Sequence, residues 1–123
     1  MIDEDGLLNS AAILVVFQGE YDLASKNYLQ REFALLADAP SVVLDFSEVT
    51  YFDSTVIAEL VALRQTRAAA GLEQETIVLR NPNLLRVLEI LGLGKLLRVV
   101  SSLDDVIGRD GTPVHVRYAQ VKD

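Results

Sequence analysis

Residues 42–56 read VVLDFSEVTYFDSTV, and this stretch decides the predicted fold. The apolar run at 42–46 is typical of a buried strand. A helical pattern begins near Val56, and its predicted inward face consists of Ile57, Leu60 and Val61. Asp53-Ser54-Thr55 therefore lies between a strand and a helix, where one hydroxyl would meet the positive end of the helix. We identify this tripeptide as the candidate functional site.

Length and composition limit the classes of protein to consider. The 123 residues are enough for one domain with one core, and the absence of cysteine excludes disulfides and thiolate chemistry. A formal net charge of -7 repels nucleic-acid phosphates and anionic membrane surfaces, so we expect neither as a partner. The first residues are acidic, unlike a secretory signal, and no apolar run approaches the ~20 residues that span a bilayer. A cytoplasmic protein is expected.

Upstream of the decisive stretch, a strand and a helix are predicted. The apolar run at 11–17 suits a strand covered on both faces, which would end at Gln18-Gly19. Asp22 is expected to cap a helix that Pro40 ends. The inward positions of that helix are Leu29, Phe33 and Leu36. Residues 47–50 are interpreted as a link that follows the strand at 42–46.

Downstream, the same alternation continues. Gly71 is expected to close the helix that begins near Val56, and residues 76–79 are predicted to form a third strand. Asn81-Pro82 predicts the start of a helix, with Asn as its cap and Pro in its first turn. The predicted inward stripe of this helix is Leu84, Val87, Leu88 and Leu91. Gly92 and Gly94 are expected to end it.

The last quarter of the chain adds shorter elements. Residues 96–100 are predicted to form a fourth strand, and residues 102–105 resemble the capped start of a short helix. Apolar and polar side chains alternate over 114–118, which indicates an edge strand. The alternation of strands and helices predicts an α/β layer domain with a mixed, mostly parallel sheet of four to five strands. We expect residues 1–123 to form this single domain.

Two interpretations of Asp53-Ser54-Thr55 are open. Such residues before a helix usually serve as N-caps, because their oxygens accept hydrogen bonds from unpaired backbone N–H groups. Alternatively, Ser54 is phosphorylated, which would add about -1.5 to -2 charges at a helix end that tolerates them.

Other groups give no catalytic or metal site. His115, the one histidine, is interpreted as a solvated edge residue, and it has no cysteine or second histidine with which to bind zinc. Residues 92–95, GLGK, lack the spacing of a phosphate loop. Asp45 and Asp53 do not form an acid–base pair by their spacing. We therefore expect no catalytic residue, no metal site and no cofactor, and we do not expect an enzyme.

Three parts of the chain resemble the anti-sigma factor antagonist family, whose fold is the STAS domain. They are Gly19-Glu20-Tyr21-Asp22, residues 43–55 and residues 83–93, and they follow one another in the expected order. The resemblance spans roughly residues 13 to 107. Residues 108–123 form a tail outside it, and a weak strand near Leu7-Leu8 is also outside it.

The resemblance implies a regulatory switch. The unmodified domain would bind an anti-sigma factor that is also a serine kinase, and phosphorylation of Ser54 would switch this binding off. The kinase would bring ATP and magnesium, a phosphatase would reset the switch, and the domain itself would catalyse nothing. The implied partner-binding residues are Asp22, Asp53, Ser54, Thr55 and Val56.

One position departs from the family pattern, and two alternatives are open. The family usually has Gly where this chain has Val56, and a branched side chain there would limit how closely a partner backbone approaches. The alternative function is a STAS adaptor or scaffold in a signalling or transport complex, without phosphorylation. A homodimer is also left open.

Overall fold

The computed structural model describes residues 12–103 and 114–118. Within these residues five strands form one sheet in the order β4-β3-β2-β1-β5, and their pairs are all parallel. This confirms the predicted α/β class and the edge strand in the tail. The strands are β1 (Ala12–Tyr21), β2 (Ser41–Phe52), β3 (Thr76–Val78), β4 (Arg98–Val100) and β5 (Val114–Tyr118).

In the described part of the chain, three helices pack on one face of the sheet. They are α1 (Lys26–Ala34), α2 (Ser54–Ala69) and α3 (Pro82–Ile90). Short 3₁₀ turns, Leu23–Ser25 and Leu93–Lys95, precede α1 and follow α3. The apolar core between helices and sheet includes Val15, Leu44 and Ile77 from the strands with Leu29, Leu60 and Leu88 from the helices.

The opposite face of the sheet is also apolar. Leu14, Val43 and Val78 form a second buried cluster, although each neighbours a residue of the main core in sequence. Successive side chains of a strand point to opposite faces, so these strands are apolar on both sides. The prediction that the first strand is covered on both faces is confirmed, since Leu14 and Val15 are both buried.

Phe17 lies at the centre of the main core. Its ring meets Tyr21, Phe33 and Phe46 edge-on, with centroid distances of 5.8, 6.1 and 4.8 Å. Edge-to-face aromatic pairs contribute about 0.5–1.5 kcal/mol each beyond the burial of their area. These contacts hold α1 against β1 and β2 directly behind the segment that contains the candidate site.

The first two strands are longer than predicted. β1 continues beyond Gln18-Gly19 to Tyr21, and β2 runs through the supposed link at 47–50 to Phe52. Two register shifts in the β1–β2 pairing, one of them beside Gly19 at φ +89°, explain the error. A bulge interrupts the alternation of period two by which a strand is recognised.

Two helical faces also differ from the prediction. Along α2 the buried apolar residues are Val56, Leu60 and Leu63, whereas Ile57 and Val61 are only partly buried. Along α3, Leu84 and Leu88 are buried, but Val87 and Leu91 are 37% and 53% exposed. The buried stripe of α2 is therefore shifted relative to the prediction, with Ile57 and Val61 at its margin, and the buried stripe of α3 is narrower than predicted.

The predicted helix ends are confirmed in part. Gly71 follows α2 at φ +77°, where its N–H bonds Ala68 O at 2.9 Å, and Gly92 follows α3 at φ +73°. Gly94, however, lies within the next 3₁₀ turn, and β4 begins at Arg98 rather than at 96. The predicted strand near Leu7-Leu8 lies outside the described residues, and so do residues 104–105 of the predicted helix start at 102–105.

Helix α1 ends at Ala34, well before Pro40, so the prediction that Pro40 ends it is wrong. The chain turns earlier because the Leu36 N–H bonds Phe33 O and the Ala39 N–H bonds Leu36 O. The guanidinium of Arg67 holds this turn by donating to the carbonyl oxygens of Leu36 and Ala39.

Arg67 is fully buried and links three segments. Besides the turn after α1, it donates to the carboxylate of Glu75 and to Glu73 O, which precede β3. Arg64 lies 3.4 Å from the same carboxylate, and the side chain of Glu75 is 1% exposed. We name Arg64, Arg67 and Glu75 the arginine clamp; it fixes the end of α2 that is remote from Ser54.

Candidate functional site

The site is built where β1 and β2 end side by side. Tyr21 and Phe52 form the last pair of the two parallel strands, and the Asp53 N–H bonds Tyr21 O at 3.3 Å. Each strand is followed by an aspartate, Asp22 or Asp53. Ligand and partner sites of open α/β sheets commonly lie at this carboxyl edge.

Both aspartates cap the turns that follow them. Asp22 Oδ1 accepts from the Ala24 N–H at 3.0 Å, and Ser25 Oγ accepts from the Asp22 N–H at 3.1 Å. Asp53 Oδ1 accepts from the Thr55 N–H at 2.8 Å. The prediction that Asp22 is a cap is confirmed, although a 3₁₀ turn separates it from α1. These carboxylates hold the backbone at the site.

Ser54 is the first residue of α2, and the residue is exposed. The side chain that caps the helix is that of Asp53, so α2 does not depend on the Ser54 hydroxyl. Thr55 is half-buried beside it. The capping role and the exposed position therefore belong to two different residues of the tripeptide.

Val56 does not contribute to this surface. Its side chain is 0% exposed and packs in the main core. The expectation that Val56 borders a partner and limits its approach is wrong, because the first turn of α2 directs this side chain inward. A branched apolar residue here stabilises the core instead.

A groove of about 240 Å³ opens beside Ser54, between the start of α1 and the first turns of α2. We name it the Ser54 groove; it is lined by Leu23, Lys26, Ser54, Thr55, Ala58 and Glu59. Asp22 and Asp53 shape its backbone and are absent from its lining. The structure thus brings Ser54 and Thr55 into the groove.

Four lining residues were missed from the sequence. Two signals pointed to three of them. Ala58 and Glu59 come one helical turn after Ser54 and Thr55, and Leu23 is an apolar residue outside the buried stripe of α1. Leu23 is 70% exposed. Lys26 could not be found in this way because its place beside Ser54 depends on the pairing of β1 with β2.

Glu59 connects the Ser54 groove with a second groove of about 280 Å³ between α1 and α2. Its Oε2 accepts from Gln30 Nε2 at 3.2 Å, which spans the two helices. The second groove is otherwise lined mainly by small and apolar side chains: Phe33, Ala34, Ala37, Ala62, Leu63 and Thr66.

Tyr21 lies beneath the site and is 4% exposed. Burial raises the pKa of its phenol above the ordinary value, and the nearby carboxylate of Glu32 acts in the same direction, against a hydrogen bond from the Gln18 N–H. The phenol therefore remains neutral at physiological pH and serves as a packing group, stacked on Tyr28.

The part of the chain that the structure describes contains neither a cluster suited to a metal ion nor a helix suited to span a membrane. Within residues 12–103 and 114–118, no group of three His, Asp or Glu residues is arranged to hold a metal ion. None of the helices in those ranges has the length and apolar character needed to cross a membrane.

Comparison with known protein families gives one match. Residues 8–100 match the family described as "Mlab, STAS domain". The comparison with curated proteins found no match.

Solved structures with the same fold include three related to anti-sigma factor antagonists. The antagonist SpoIIAA in its unphosphorylated form is 10% identical, with a TM-score of 0.58 over 74% of this chain and 81% of that chain. The Thermotoga maritima protein tm1081, provisionally described as an anti-sigma factor antagonist, is 18% identical, with a TM-score of 0.64 over 73% and 82%. The Bacillus cell fate determinant SpoIIAA in its phosphorylated form is 15% identical, with a TM-score of 0.54 over 75% and 86%. At these identities the similarity shows the fold.

Proposed function

The chain belongs to the STAS domain family, and on that premise we propose that it is an anti-sigma factor antagonist switched off by phosphorylation of Ser54. Its partner is an anti-sigma factor with serine kinase activity, and a phosphatase restores the unmodified form. The kinase brings the ATP and magnesium, and the chain acts as a binding protein rather than an enzyme. Structures of SpoIIAA in an unphosphorylated and a phosphorylated form share the fold and support this proposal.

The observation that carries the proposal is the exposed position of Ser54, which lines the groove next to a cap provided by Asp53. A kinase needs an accessible hydroxyl, and the helix keeps its cap when that hydroxyl is modified. The N-terminus of α2 also tolerates negative charge because its backbone N–H groups carry partial positive charge. Phosphorylation is therefore compatible with the fold.

Charge and burial explain how the switch would act. In the unmodified protein the groove offers an exposed Leu23 and, at position 54, a small neutral hydroxyl, which a partner can cover without desolvating a charge at that position. A phosphate at Ser54 would have to be desolvated near the carboxylates of Asp53 and Glu59. We expect affinity for the partner to fall much more than stability.

The test begins with the purified protein, ATP, magnesium and each candidate anti-sigma kinase encoded in the same genome. Mass spectrometry is expected to locate one phosphate on Ser54, and Ser54→Ala is expected to abolish its incorporation while binding is retained. Thr55→Ala is the matched control, since it removes the neighbouring hydroxyl, and it should leave incorporation intact. Phosphate on another residue, or none with every kinase, would overturn the proposal.

The same material tests the mechanism. The phosphorylated protein should bind the kinase at least about tenfold more weakly by calorimetry, a loss of about 1.4 kcal/mol. Its free energy of unfolding should change by less than about 1 kcal/mol. A large loss of stability with unchanged affinity would contradict the mechanism.

A constitutive adaptor is the second candidate, and exposed apolar side chains at the end of α3 favour it. Ile90, Leu91 and Leu96 are 72%, 53% and 45% exposed, and none of them lines the Ser54 groove. An adaptor would use such a surface whatever the state of Ser54. A partner that binds wild type and the phosphorylated protein equally well would favour this alternative.

A further inference from the structure

We propose that Lys26 receives the phosphate of modified Ser54, so that the ammonium group and the phosphate pair across the Ser54 groove. This inference rests on the proposed phosphorylation of Ser54 and names the residue that pairs with the phosphate. Lys26 and Ser54 are the first residues of α1 and α2 and line the same groove. Their proximity follows from the joint end of β1 and β2.

Lys26 is free to move toward the phosphate. Its side chain is exposed, and no ion pair holds it within residues 12–103. A lysine ammonium is a compact charge on a flexible four-carbon stem with three donors, so it can follow a phosphate that itself rotates about the Ser54 side chain. The small side chain of Ala58 leaves space one turn below Ser54.

Helix stability does not explain a cation at the start of α1. The N-terminal end of a helix carries partial positive charge, and a positive side chain in the first turn is unfavourable by a few tenths of a kcal/mol. The first turn of α1 holds no acidic residue that would offset it. Lys26 thus slightly lowers the stability of α1, and it is the one positively charged residue in the lining of the groove.

The other charges at the groove are negative and come from each neighbouring element. Glu59 lies on α2, Asp53 precedes α2, and Asp22 precedes the turn to α1. Asp22 and Asp53 direct an oxygen to backbone N–H groups, and Glu59 accepts from Gln30. The dianionic phosphate would meet net repulsion without Lys26. Pairing with Lys26 favours the dianion, so Lys26 lowers the pKa of the second phosphate ionisation.

The experiment places phosphoserine at position 54 by genetic encoding and follows its ³¹P resonance as the pH is raised from 4 to 9. The probe is the phosphate itself, so no kinase is needed. The titration midpoint of Lys26→Met is expected to lie about 0.3–0.5 pH units above that of the unsubstituted protein, as for a partly exposed ion pair. Salt at about 1 M should remove most of the difference.

Two variants complete the test. Lys95→Met removes the same charge from a lysine outside the groove and should leave the titration midpoint almost unchanged. Lys26→Arg keeps the positive charge in the groove and should also keep the midpoint of the unsubstituted protein. The unphosphorylated Lys26→Met protein should unfold at the same or a slightly higher temperature, which separates the pairing from a structural role. Equal midpoints for Lys26→Met and Lys95→Met would overturn the inference. A failure of every kinase to modify Ser54 would contradict the proposed function and leave this titration unaffected.

Discussion

Asp53 and Ser54 are adjacent residues with different tasks. Asp53 binds the backbone of α2 through its carboxylate, and Ser54 is an exposed residue in the lining of the Ser54 groove. The sequence alone allowed either residue to be the cap, because both side chains carry a suitable oxygen. Only the backbone conformation separates them: Asp53 is extended at φ −113°, ψ −167°, as an N-cap is, and Ser54 is already helical.

Replacement of the cap tests this division at the residue scale. We expect Asp53→Ala to lower the free energy of unfolding by about 1 kcal/mol, because the Thr55 N–H loses its acceptor. Urea unfolding measures the change. Asp53→Asn, which keeps an oxygen acceptor, should restore most of the loss, and Ser54→Ala should change stability by less than about 0.5 kcal/mol. A loss in Ser54→Ala equal to that in Asp53→Ala would show that the cap is assigned to the wrong residue.

Features of the helices and strands that depend on residues nearby in sequence were predicted. Features that depend on pairing with a distant strand were not. Asn81 caps α3 by accepting from the N–H groups of Asn83 and Leu84, as expected from the Asn81-Pro82 pair. The extension of β2 to Phe52 was missed because the bulges arise from its pairing with β1. The Ser54 groove depends on that extension, so Leu23 and Lys26 were missed with it.

Gly71 allows a prediction at the scale of one helix. It follows α2 at φ +77°, and a Cβ added there would meet nothing within 4 Å. Gly71→Ala is therefore expected to cost about 1 kcal/mol by backbone conformation alone. Gly94→Ala is the matched control, since Gly94 has the same open surroundings without the left-handed backbone. Thermal unfolding should leave Gly94→Ala unchanged; equal losses would contradict the conformational explanation.

At the scale of the whole molecule, the arginine clamp is the feature that sequence patterns concealed. An arginine on a helix is normally solvated, yet the side chain of Arg67 is 0% exposed and donates to four groups on two other segments. Its acceptors are mostly backbone carbonyls, which any residue carries. No pattern of residue types can indicate such partners, whereas the alternation of strand and helix patterns was enough to predict the α/β class.

Removal of the clamp should destabilise the entire domain. Arg67→Met leaves the buried carboxylate of Glu75 with Arg64 alone, at 3.4 Å, and we expect a loss of about 3–5 kcal/mol in urea unfolding. The double variant Arg67→Met/Glu75→Gln should recover part of this loss, because it removes the unpaired charge. Arg86→Met replaces an exposed arginine and should change stability by less than about 0.5 kcal/mol. A similarly small effect of Arg67→Met would refute a stabilising role for the clamp.

The clamp also limits what kind of signal α2 can convey. Asp53 fixes one end of this helix, and Arg64 with Arg67 fixes the other. A charge added near Asp53 is therefore not expected to shift α2 along its axis. A partner would then detect phosphorylation as a change in the electrostatic potential of the surface, without a movement of the backbone. Selection could redirect such a domain to a new recipient by exchanging a few exposed side chains, while the layers beneath them stay as they are.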